Sequence, residues 1–423
     1  MLIQFKFKNF KSFRDDAILD LSATKISEYN DRVIEIGGEK ILPVAAIFGA
    51  NASGKSNIQQ AFSYMVYYVM RSFAFGGDVD EKKNKSEFVH PTPFLFDHTS
   101  KDAPSTFEVY FNADEADKNK QYNYGFSVDN CGVCEEWLNV CAKSSRRKYI
   151  SVFYRNRDNN ELDLSGLPKK AHDNIETALE SETLIVSLGA KLKIDILKFI
   201  RDWFLKHDVT DFGNPLQNLL MSKFIPNGFD EDEIVRHNVI HYFSSFDESI
   251  IDFEVEKTKD ENDEEYLNIK TLHKAIGSDD KIAIPLREES AGTLKMFALY
   301  PALKEVMESG GVLFVDELNS RLHPLLLRNF LISFLDPKVN KNHAQIIFTT
   351  HDSWTLSNNL LRRDEIWFTQ KDRNGISSLY SLADFTDDIG TKIRKDENYE
   401  KNYLLGKYGA IPELKSMMVM EDD

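Results

Sequence analysis

A glycine-rich stretch at residues 49–56, Gly-Ala-Asn-Ala-Ser-Gly-Lys-Ser, constrains the fold more than any other part of this 423-residue sequence. It fits a pattern of one glycine, four further residues and then Gly-Lys-Ser, in which backbone N–H groups and a helix N-terminus face phosphate oxygens. The apolar run 44–48 before it predicts a buried strand, and residues 57–69 predict a helix. Strand, glycine loop and helix are the setting that the pattern requires, so the stretch predicts a nucleoside triphosphate site.

The residue types in this loop suit a phosphate site with a bound cation. Glycine allows the tight backbone turn, Lys55 is expected to reach the β- and γ-phosphates of ATP, and the Ser56 hydroxyl is expected to bind Mg²⁺, a hard cation that prefers oxygen ligands. A glycine-rich turn beside a solvated lysine is the alternative interpretation. The predicted nucleotide contacts in this part of the chain are Gly49, Asn51, Ala52, Ser53, Gly54, Lys55, Ser56 and Asn57.

A second motif closes an apolar run with two acids. Residues 311–317 are Gly-Val-Leu-Phe-Val-Asp-Glu, which predicts a buried strand that ends in carboxylates. Burial of such a strand end is costly unless a cation or a reacting water uses the acids. We therefore expect Asp316 to bind Mg²⁺ directly or through water, and Glu317 to polarise the attacking water. Together with the glycine-rich loop, this motif predicts an ATPase.

Two other segments carry candidate phosphate contacts. Residues 288–293, Glu-Glu-Ser-Ala-Gly-Thr, precede a predicted helix, so Ser290 and Gly292 stand at a helix N-terminus, where bare N–H groups favour anions. Simple capping of the helix by Ser290 explains the same letters. Residues 344–350 predict another buried strand, which ends at His351. This histidine is a candidate contact to the γ-phosphate, and a satisfied structural histidine is the alternative.

Several shorter motifs add a family resemblance. They are a turn at residues 9–13 (Asn-Phe-Lys-Ser-Phe), Leu-His-Pro at 322–324, and Tyr-Gly-Ala-Ile-Pro at 408–412. With the glycine loop and the acid pair, they resemble ABC-like ATPase heads of the SMC and OLD types, and the last segment resembles bacterial abortive-infection AAA-family ATPases. The resemblance spans nearly the whole chain and is weakest in the helical segment that follows residue 160.

This resemblance implies a role for each motif. Ser290 and Gly292 would match the ABC signature and His351 the switch histidine, with ATP and Mg²⁺ bound between two heads of a dimer. It also implies a sensor or regulatory subunit of an anti-phage or toxin–antitoxin-like system, whose effector is a separate protein, a nuclease or toxin. The loop glutamine of transporter ATPases has no clear counterpart, since Gln59, Gln60 and Gln345 are poorly positioned candidates.

Two other functions compete with this interpretation. A DNA-repair or DNA-end-binding ATPase is favoured by a basic cluster between residues 143 and 157, for which a solvated hairpin tip is the alternative. The formal net charge of −16 opposes a broad nucleic-acid surface, because Lys and Arg supply most non-specific affinity. A transporter ATPase subunit is opposed by the missing glutamine loop. The cluster consists of Lys143, Arg146, Arg147, Lys148, Arg155 and Arg157.

Composition and patterning indicate an ordinary globular protein. Hydrophobic residues make up 42% and charged residues 28% of the chain, and no apolar run is long enough for a membrane span. An N-terminus without signal-peptide character and three cysteines predict a cytoplasmic protein. Cys131 and Cys134 lack a second pair at zinc spacing, so residues 129–132 are interpreted as a hairpin turn rather than a metal site.

The order of predicted elements predicts an α/β P-loop NTPase with an antiparallel β-layer and a helical insertion, and the family resemblance implies ABC-ATPase-like architecture. The β-layer is predicted from strand-like runs at 106–112, 121–128, 133–140 and 149–155. We predict an N-terminal part of the ATPase head at 1–160, a helical insertion at 161–248 and a C-terminal part of the head at 249–423.

Overall fold

The computed structural model describes residues 1–75, 89–112, 120–142, 148–212, 229, 232–259, 265–386, 390 and 392–412. Its strands, in chain order, are β1 Leu2–Lys8, β2 Ala17–Asp20, β3 Ile34–Ile36, β4 Glu39–Ile41, β5 Val44–Gly49, β6 Ser105–Asn112, β7 Lys120–Asp129, β8 Gly132–Ala142, β9 Tyr149–Asn156, β10 Glu161–Asp163, β11 Asp208–Asp211, β12 Ile250–Lys259, β13 Glu265–Lys274, β14 Lys281–Pro285, β15 Val312–Asp316, β16 Gln345–Thr349, β17 Ile366–Lys371 and β18 Ser377–Ser381.

The α-helices are α1 Lys55–Arg71, α2 His98–Lys101, α3 Lys169–Ala178, α4 Ile185–Lys191, α5 Asp195–Phe204, α6 Glu233–Ser244, α7 Ala291–Ser309, α8 Pro324–Leu335 and α9 Tyr399–Leu404. Within the described ranges, no helix combines the length and the apolar character that crossing a membrane requires. The strand predicted at 44–48 and the helix predicted at 57–69 are confirmed as β5 and α1.

A six-stranded sheet with the order β11-β15-β16-β5-β17-β18 positions the predicted site. All of these strands run parallel except β18, which pairs antiparallel with β17. Strands β5, β15 and β16 are buried along their whole length, which is why they are continuous apolar runs. Because parallel strands end at the same edge of the sheet, the loops that follow these three strands meet there. This arrangement confirms the α/β fold class.

A seven-stranded antiparallel sheet, with the order β10-β9-β8-β7-β6-β1-β2, forms the second layer. Strand β6 alternates buried and half-buried residues, as a strand with one covered face does, whereas the central part of β7 is buried on both faces. The predicted β-layer is thus confirmed, and it also includes the N-terminal strands β1 and β2. Helix α1 lies between the two sheets, and Phe62 meets the ring of Phe5 edge-on at 5.2 Å between centroids.

The segment predicted as a helical insertion, 161–248, is only partly helical. Strand β11 lies within it and pairs in parallel with β15, so this segment supplies an edge of the central sheet. Helix α5 packs into the main core, where Trp203 stacks on Phe111 at 4.0 Å between ring centroids. A four-residue strand such as β11 has too little periodicity to be detected in the sequence. The domain boundaries at residues 160 and 248 remain a proposal.

A separate three-stranded sheet, β12-β13-β14, precedes helix α7. Helix α6 packs on it, and the rings of Phe243, Phe253 and Phe297 form a cluster that joins the sheet to α7. Residues 260–264 of the acidic loop between β12 and β13 lie outside the described residues.

Candidate functional site

The glycine loop has a backbone that only small residues allow. Gly54 has φ 113°, and a Cβ there would lie 2.7 Å from Ser377 Oγ and 3.0 Å from the Phe13 ring. A Cβ at Gly49 would lie 2.5 Å from Thr369 Oγ1. Both glycines are therefore required by close approach, and at Gly54 also by the left-handed backbone.

Hydroxyl groups from three distant elements hold this loop. Ser53 Oγ lies 2.6 Å from Thr369 Oγ1 of β17, and Ser377 Oγ of β18 donates to the Ser53 carbonyl at 2.7 Å. The Asn57 amide donates to Ser12 Oγ at 2.7 Å. The turn at residues 9–13 therefore lies beside the glycine loop. Thr369 and Ser377 were not predicted as site residues, because nothing in the sequence around a hydroxyl residue on a strand indicates such a distant contact.

Lys55 lies across the loop that precedes it. Its side chain is buried, and Nζ donates to the carbonyl oxygens of Gly49 at 2.8 Å and Ala50 at 3.0 Å. Burial lowers the pKa of Lys55, while the nearby Asp316 and Glu317 carboxylates act in the opposite direction. The glycine loop thus holds a desolvated cation close to the acids at the end of β15.

The two acids at the end of β15, Asp316 and Glu317, lie in different environments. Asp316 is buried, and its Oδ1 accepts a hydrogen bond from Thr349 Oγ1 of the neighbouring strand β16. Glu317 adopts φ 52°, and its N–H donates to the same hydroxyl at 2.9 Å. The left-handed backbone at Glu317 reverses the chain directly after the strand. Glu317 therefore borders an open cavity while Asp316 stays beneath it.

This cavity, of about 650 Å³, lies at the carboxyl edge of the central sheet. The structure brings most of the predicted site residues together here, and it adds Lys371, from the end of β17, which the sequence analysis did not single out. Gly49, Ser53 and Asp316 lie behind the lining. The lining residues are Asn51, Ala52, Gly54, Lys55, Ser56, Asn57, Glu317, His351 and Lys371.

Ser290 and Gly292 lie elsewhere, at the start of α7. Ser290 Oγ accepts the Thr293 N–H at 3.1 Å, so this serine caps the helix, as the alternative interpretation held. A Cβ at Gly292 would lie 3.0 Å from the carbonyl oxygen of Arg321, in the loop after β15. Neither Ser290 nor Gly292 is among the described residues that line the cavity.

A buried lysine connects α7 to that loop. Lys295 Nζ donates to the carbonyl oxygens of Glu317 at 3.1 Å, Leu318 at 2.6 Å and Ser320 at 2.8 Å. It also lies 4.5 Å from the centre of the Phe212 ring. Burial lowers the pKa of Lys295 to about 7. The signal in the sequence is a single lysine within the apolar run 294–303 of this helix, and Lys295 was not predicted.

The basic cluster does not form one exposed surface. Arg155 is buried; it pairs with Glu136 at 3.4 Å and donates to the Thr183 carbonyl at 2.7 Å. The assignment of Arg155 to an exposed cluster is therefore wrong, because strand alternation turns this side chain inward. Arg157 pairs with Asp129 at 2.6 Å. Lys148 is exposed, whereas 143–147, with three of the predicted basic residues, lie outside the described residues. Those three are Lys143, Arg146 and Arg147.

Two of the glutamines considered for a glutamine loop have structural roles. Gln345 is fully buried; its Oε1 accepts the Leu2 N–H at 2.7 Å, and its Nε2 donates to the Leu2 and Leu42 carbonyl oxygens. Gln60 accepts a hydrogen bond from Lys11 in the turn at residues 9–13. The turn between β7 and β8 is confirmed, with Cys131 N–H donating to Asp129 at 2.7 Å.

The site's chemistry fits a nucleotide with a bound divalent cation. The loop is too tight for a Cβ at Gly49 and Gly54, and a desolvated lysine lies within it. The Ser56 hydroxyl and the buried Asp316 carboxylate are the oxygen groups that could hold the cation. These features, on a parallel sheet with an acid pair at the end of a strand of the same sheet, define an α/β fold of the P-loop nucleotide-binding class.

Comparison with known proteins identifies the family. A family model described as "AAA domain, putative AbiEii toxin, Type IV TA system" matches residues 44–357, well over half of the chain. The chain belongs to this AAA-domain family, in agreement with the AAA-family resemblance of its sequence motifs. No curated protein matches the sequence. Among solved structures, "Crystal structure of the SmcHead bound to the C-winged helix domain of ScpA" is similar with 16% identity and a TM-score of 0.39, over 90% of this chain and 97% of that chain.

Proposed function

We propose that this protein binds ATP with Mg²⁺ and hydrolyses it at the cavity beside the glycine loop. The observation that carries the proposal is the convergence of Lys55, Glu317 and His351, from three separate loops, on that one cavity. Such convergence is expected of a hydrolytic site, where a phosphate-binding cation, a base and a polar contact must meet.

Each group has a distinct task in this proposal. The N–H groups of the glycine loop and the Lys55 ammonium bind phosphate oxygens, and they hold the nucleotide in one orientation. Ser56 and Asp316 supply the oxygen atoms that hold Mg²⁺, which neutralises charge on the phosphates when it is bound. Glu317 accepts a proton from the attacking water. His351, which also lines the cavity, contacts the terminal phosphate.

We further propose that two copies of the chain form a head-to-head dimer. Support comes from the position of Ser290, which is exposed at the start of α7 and does not line the cavity of its own chain. In the dimer, Ser290 and Gly292 of one copy would complete the nucleotide site of the other, because a helix N-terminus attracts phosphate.

Phosphate release from ATP by the purified protein tests this function. Release should require Mg²⁺ and should be lost in Lys55→Ala and in Gly292→Asp, which places a side chain and a negative charge at the helix start. A mixture of these two inactive variants should regain part of the activity, since one composite site in the mixed dimer is intact. Full activity of Gly292→Asp alone would contradict the two-head arrangement.

The cellular role proposed here is that of a sensor or regulatory subunit in an anti-phage system. Membership of the abortive-infection AAA family supports it. The effector would be a separate protein, a nuclease or toxin. Co-expression with the product of the neighbouring gene tests the role: cell growth or phage plaque formation should change with the intact pair and not with Lys55→Ala. A neighbouring permease gene would favour a transporter subunit instead.

A DNA-repair ATPase is the second candidate function. The exposed Lys148, next to a stretch with further basic residues in the sequence, favours it, and the net charge of −16 opposes it. Stimulation of ATP hydrolysis by DNA, abolished at high salt, would select this function over the defence role.

A further inference from the structure

Thr349, the last residue of β16, occupies a position between both acids of the proposed site. Its side chain is fully buried, and the three residues before it, 346–348, are all apolar. One hydroxyl group contacts both the Asp316 carboxylate and the Glu317 N–H. The Thr349 carbonyl also accepts the Leu318 N–H at 3.2 Å. Thr349 thus binds three consecutive residues of the chain that leaves β15.

The direction of these hydrogen bonds follows from the groups involved. An ionised carboxylate can only accept and a backbone N–H can only donate, so the hydroxyl must donate to Asp316 and accept from Glu317. A hydroxyl meets both requirements at once, and an alkyl group meets neither. Valine has the same branched shape but would leave the Asp316 carboxylate and the Glu317 N–H without this partner.

The contact with Thr349 matters because Glu317 has an unfavourable left-handed backbone conformation. A non-glycine residue with φ 52° is disfavoured, and such a conformation persists where surrounding groups enforce it. The hydrogen bond from the Glu317 N–H to Thr349 Oγ1 is such a restraint. The same strand leads, two residues later, to His351 in the cavity lining. Thr349 therefore links the strand that bears His351 to both acids.

We propose that Thr349 is a positioning residue for ATP hydrolysis: its hydroxyl orients the Asp316 carboxylate and holds Glu317 in the left-handed conformation that borders the cavity. This inference rests on the proposed ATPase function and names a residue on which the geometry of that site depends. Thr349 does not contact the reacting atoms and acts through the two acids.

Three variants distinguish the contribution of the hydroxyl group from that of the side-chain shape. Thr349→Val keeps the branched shape and removes the hydroxyl, whereas Thr349→Ser keeps the hydroxyl. Thr210→Val is the matched control, because Thr210 is also buried in the central sheet and donates to an aspartate, Asp208, at 3.2 Å, away from the cavity lining. Thermal unfolding of each variant verifies that it folds.

The first measurement uses the protein without nucleotide. Hydrogen exchange of the peptide that contains Glu317 should be faster in Thr349→Val by about 10-fold or more, because its N–H loses its acceptor. Exchange in Thr349→Ser and Thr210→Val should match the wild type at this peptide. Unchanged exchange in Thr349→Val would overturn the inference, whether or not the protein hydrolyses ATP.

The second measurement separates ATP binding from turnover. In Thr349→Val, kcat should fall by about 10- to 100-fold, the effect expected of a misplaced catalytic group, while the dissociation constant for ATP measured in EDTA stays unchanged. Thr349→Ser should retain most of the wild-type kcat. An equal fall in Thr210→Val, or a wild-type kcat in Thr349→Val, would overturn the inference. An inactive wild type would instead contradict the proposed function and leave the exchange result to decide on Thr349.

Discussion

Lys295 Nζ donates a 2.6 Å hydrogen bond to the carbonyl oxygen of Leu318, and so fastens helix α7 to the loop that follows the acids. A buried ammonium is costly unless it is fully hydrogen-bonded. Here two further carbonyl oxygens and an aromatic face share the charge. The start of α7, with Ser290 and Gly292, is therefore held in a fixed position relative to Glu317.

Replacement of Lys295 should lower the stability of the folded protein. Lys295→Met leaves the carbonyl oxygens of this loop without their buried donor, and we expect a loss of about 1–3 kcal/mol in the free energy of unfolding. The same change at Lys304, which makes a 4.0 Å surface pair with Glu308 on the same helix, should cost less than about 0.5 kcal/mol. Urea unfolding measures the free energy of unfolding of both variants. Equal losses would show that the Lys295 hydrogen bonds contribute no more to stability than the Lys304 surface pair.

His207 should make the protein sensitive to acid. Its Nδ1 accepts the Val312 N–H at 3.1 Å, and burial lowers its pKa from 6.5 to about 3. Between these values the unfolded chain binds a proton that the folded protein does not, so stability falls as the pH decreases from about 6.5 towards 3.

His207→Asn, which keeps an acceptor, should flatten this part of the stability curve. Exposed His237→Asn is the control and should leave the curve as it is in the wild type. Denaturant midpoints measured between pH 7 and pH 4 provide the comparison. A His207→Asn curve parallel to that of the wild type would contradict the assignment.

Gly54→Ala should impair the nucleotide site through a single methyl group. The added carbon would meet Ser377 Oγ at 2.7 Å and would strain a backbone at φ 113°. We expect ATP affinity to fall by at least about 10-fold, because the loop must shift. Gly38→Ala is the matched control: it also has positive φ, at 80°, but nothing lies within 4 Å of the added carbon. It should lose stability and keep its affinity for ATP, as measured by calorimetry.

Nucleic-acid binding can be tested on residues 146–148. Reversal of Arg146, Arg147 and Lys148 to glutamate should weaken binding and flatten its salt dependence if this segment contacts phosphates, because fewer counterions are released. Arg155 is excluded from this test, since its buried pairing with Glu136 makes it a structural residue. Unchanged retention of the triple variant on a heparin column would support a solvated hairpin tip.

Motifs of consecutive residues were predictable because local chemistry determines them. The apolar strand before Gly49, the helix after Gly54 and the acids at the end of β15 all lie in short stretches whose residue types have few other uses. The antiparallel layer was predictable from strand-like runs separated by clusters of turn residues. The fold class and the lining residues of the cavity other than Lys371 therefore followed from the sequence.

Contacts between distant strands were not predictable in the same way. Thr349, Thr369 and Ser377 reach the site because β16, β17 and β18 follow the sheet order, which no single stretch of sequence encodes. Strand β11 escaped detection because four residues are too few for periodicity. Arg155 was misassigned because its neighbours on the chain are basic while its neighbour in the fold, Glu136, lies on another strand.

Glu317→Gln tests the central claim most directly. The amide keeps the size of the side chain and cannot accept a proton from water, so this variant should bind ATP like the wild type and hydrolyse it about 10²- to 10⁴-fold more slowly. The measurement is single-turnover release of phosphate from ATP in the presence of Mg²⁺, with bound ATP determined in parallel. Retention of ATP with loss of turnover is the result that the proposed site predicts. Hydrolysis by Glu317→Gln at the wild-type rate would contradict it.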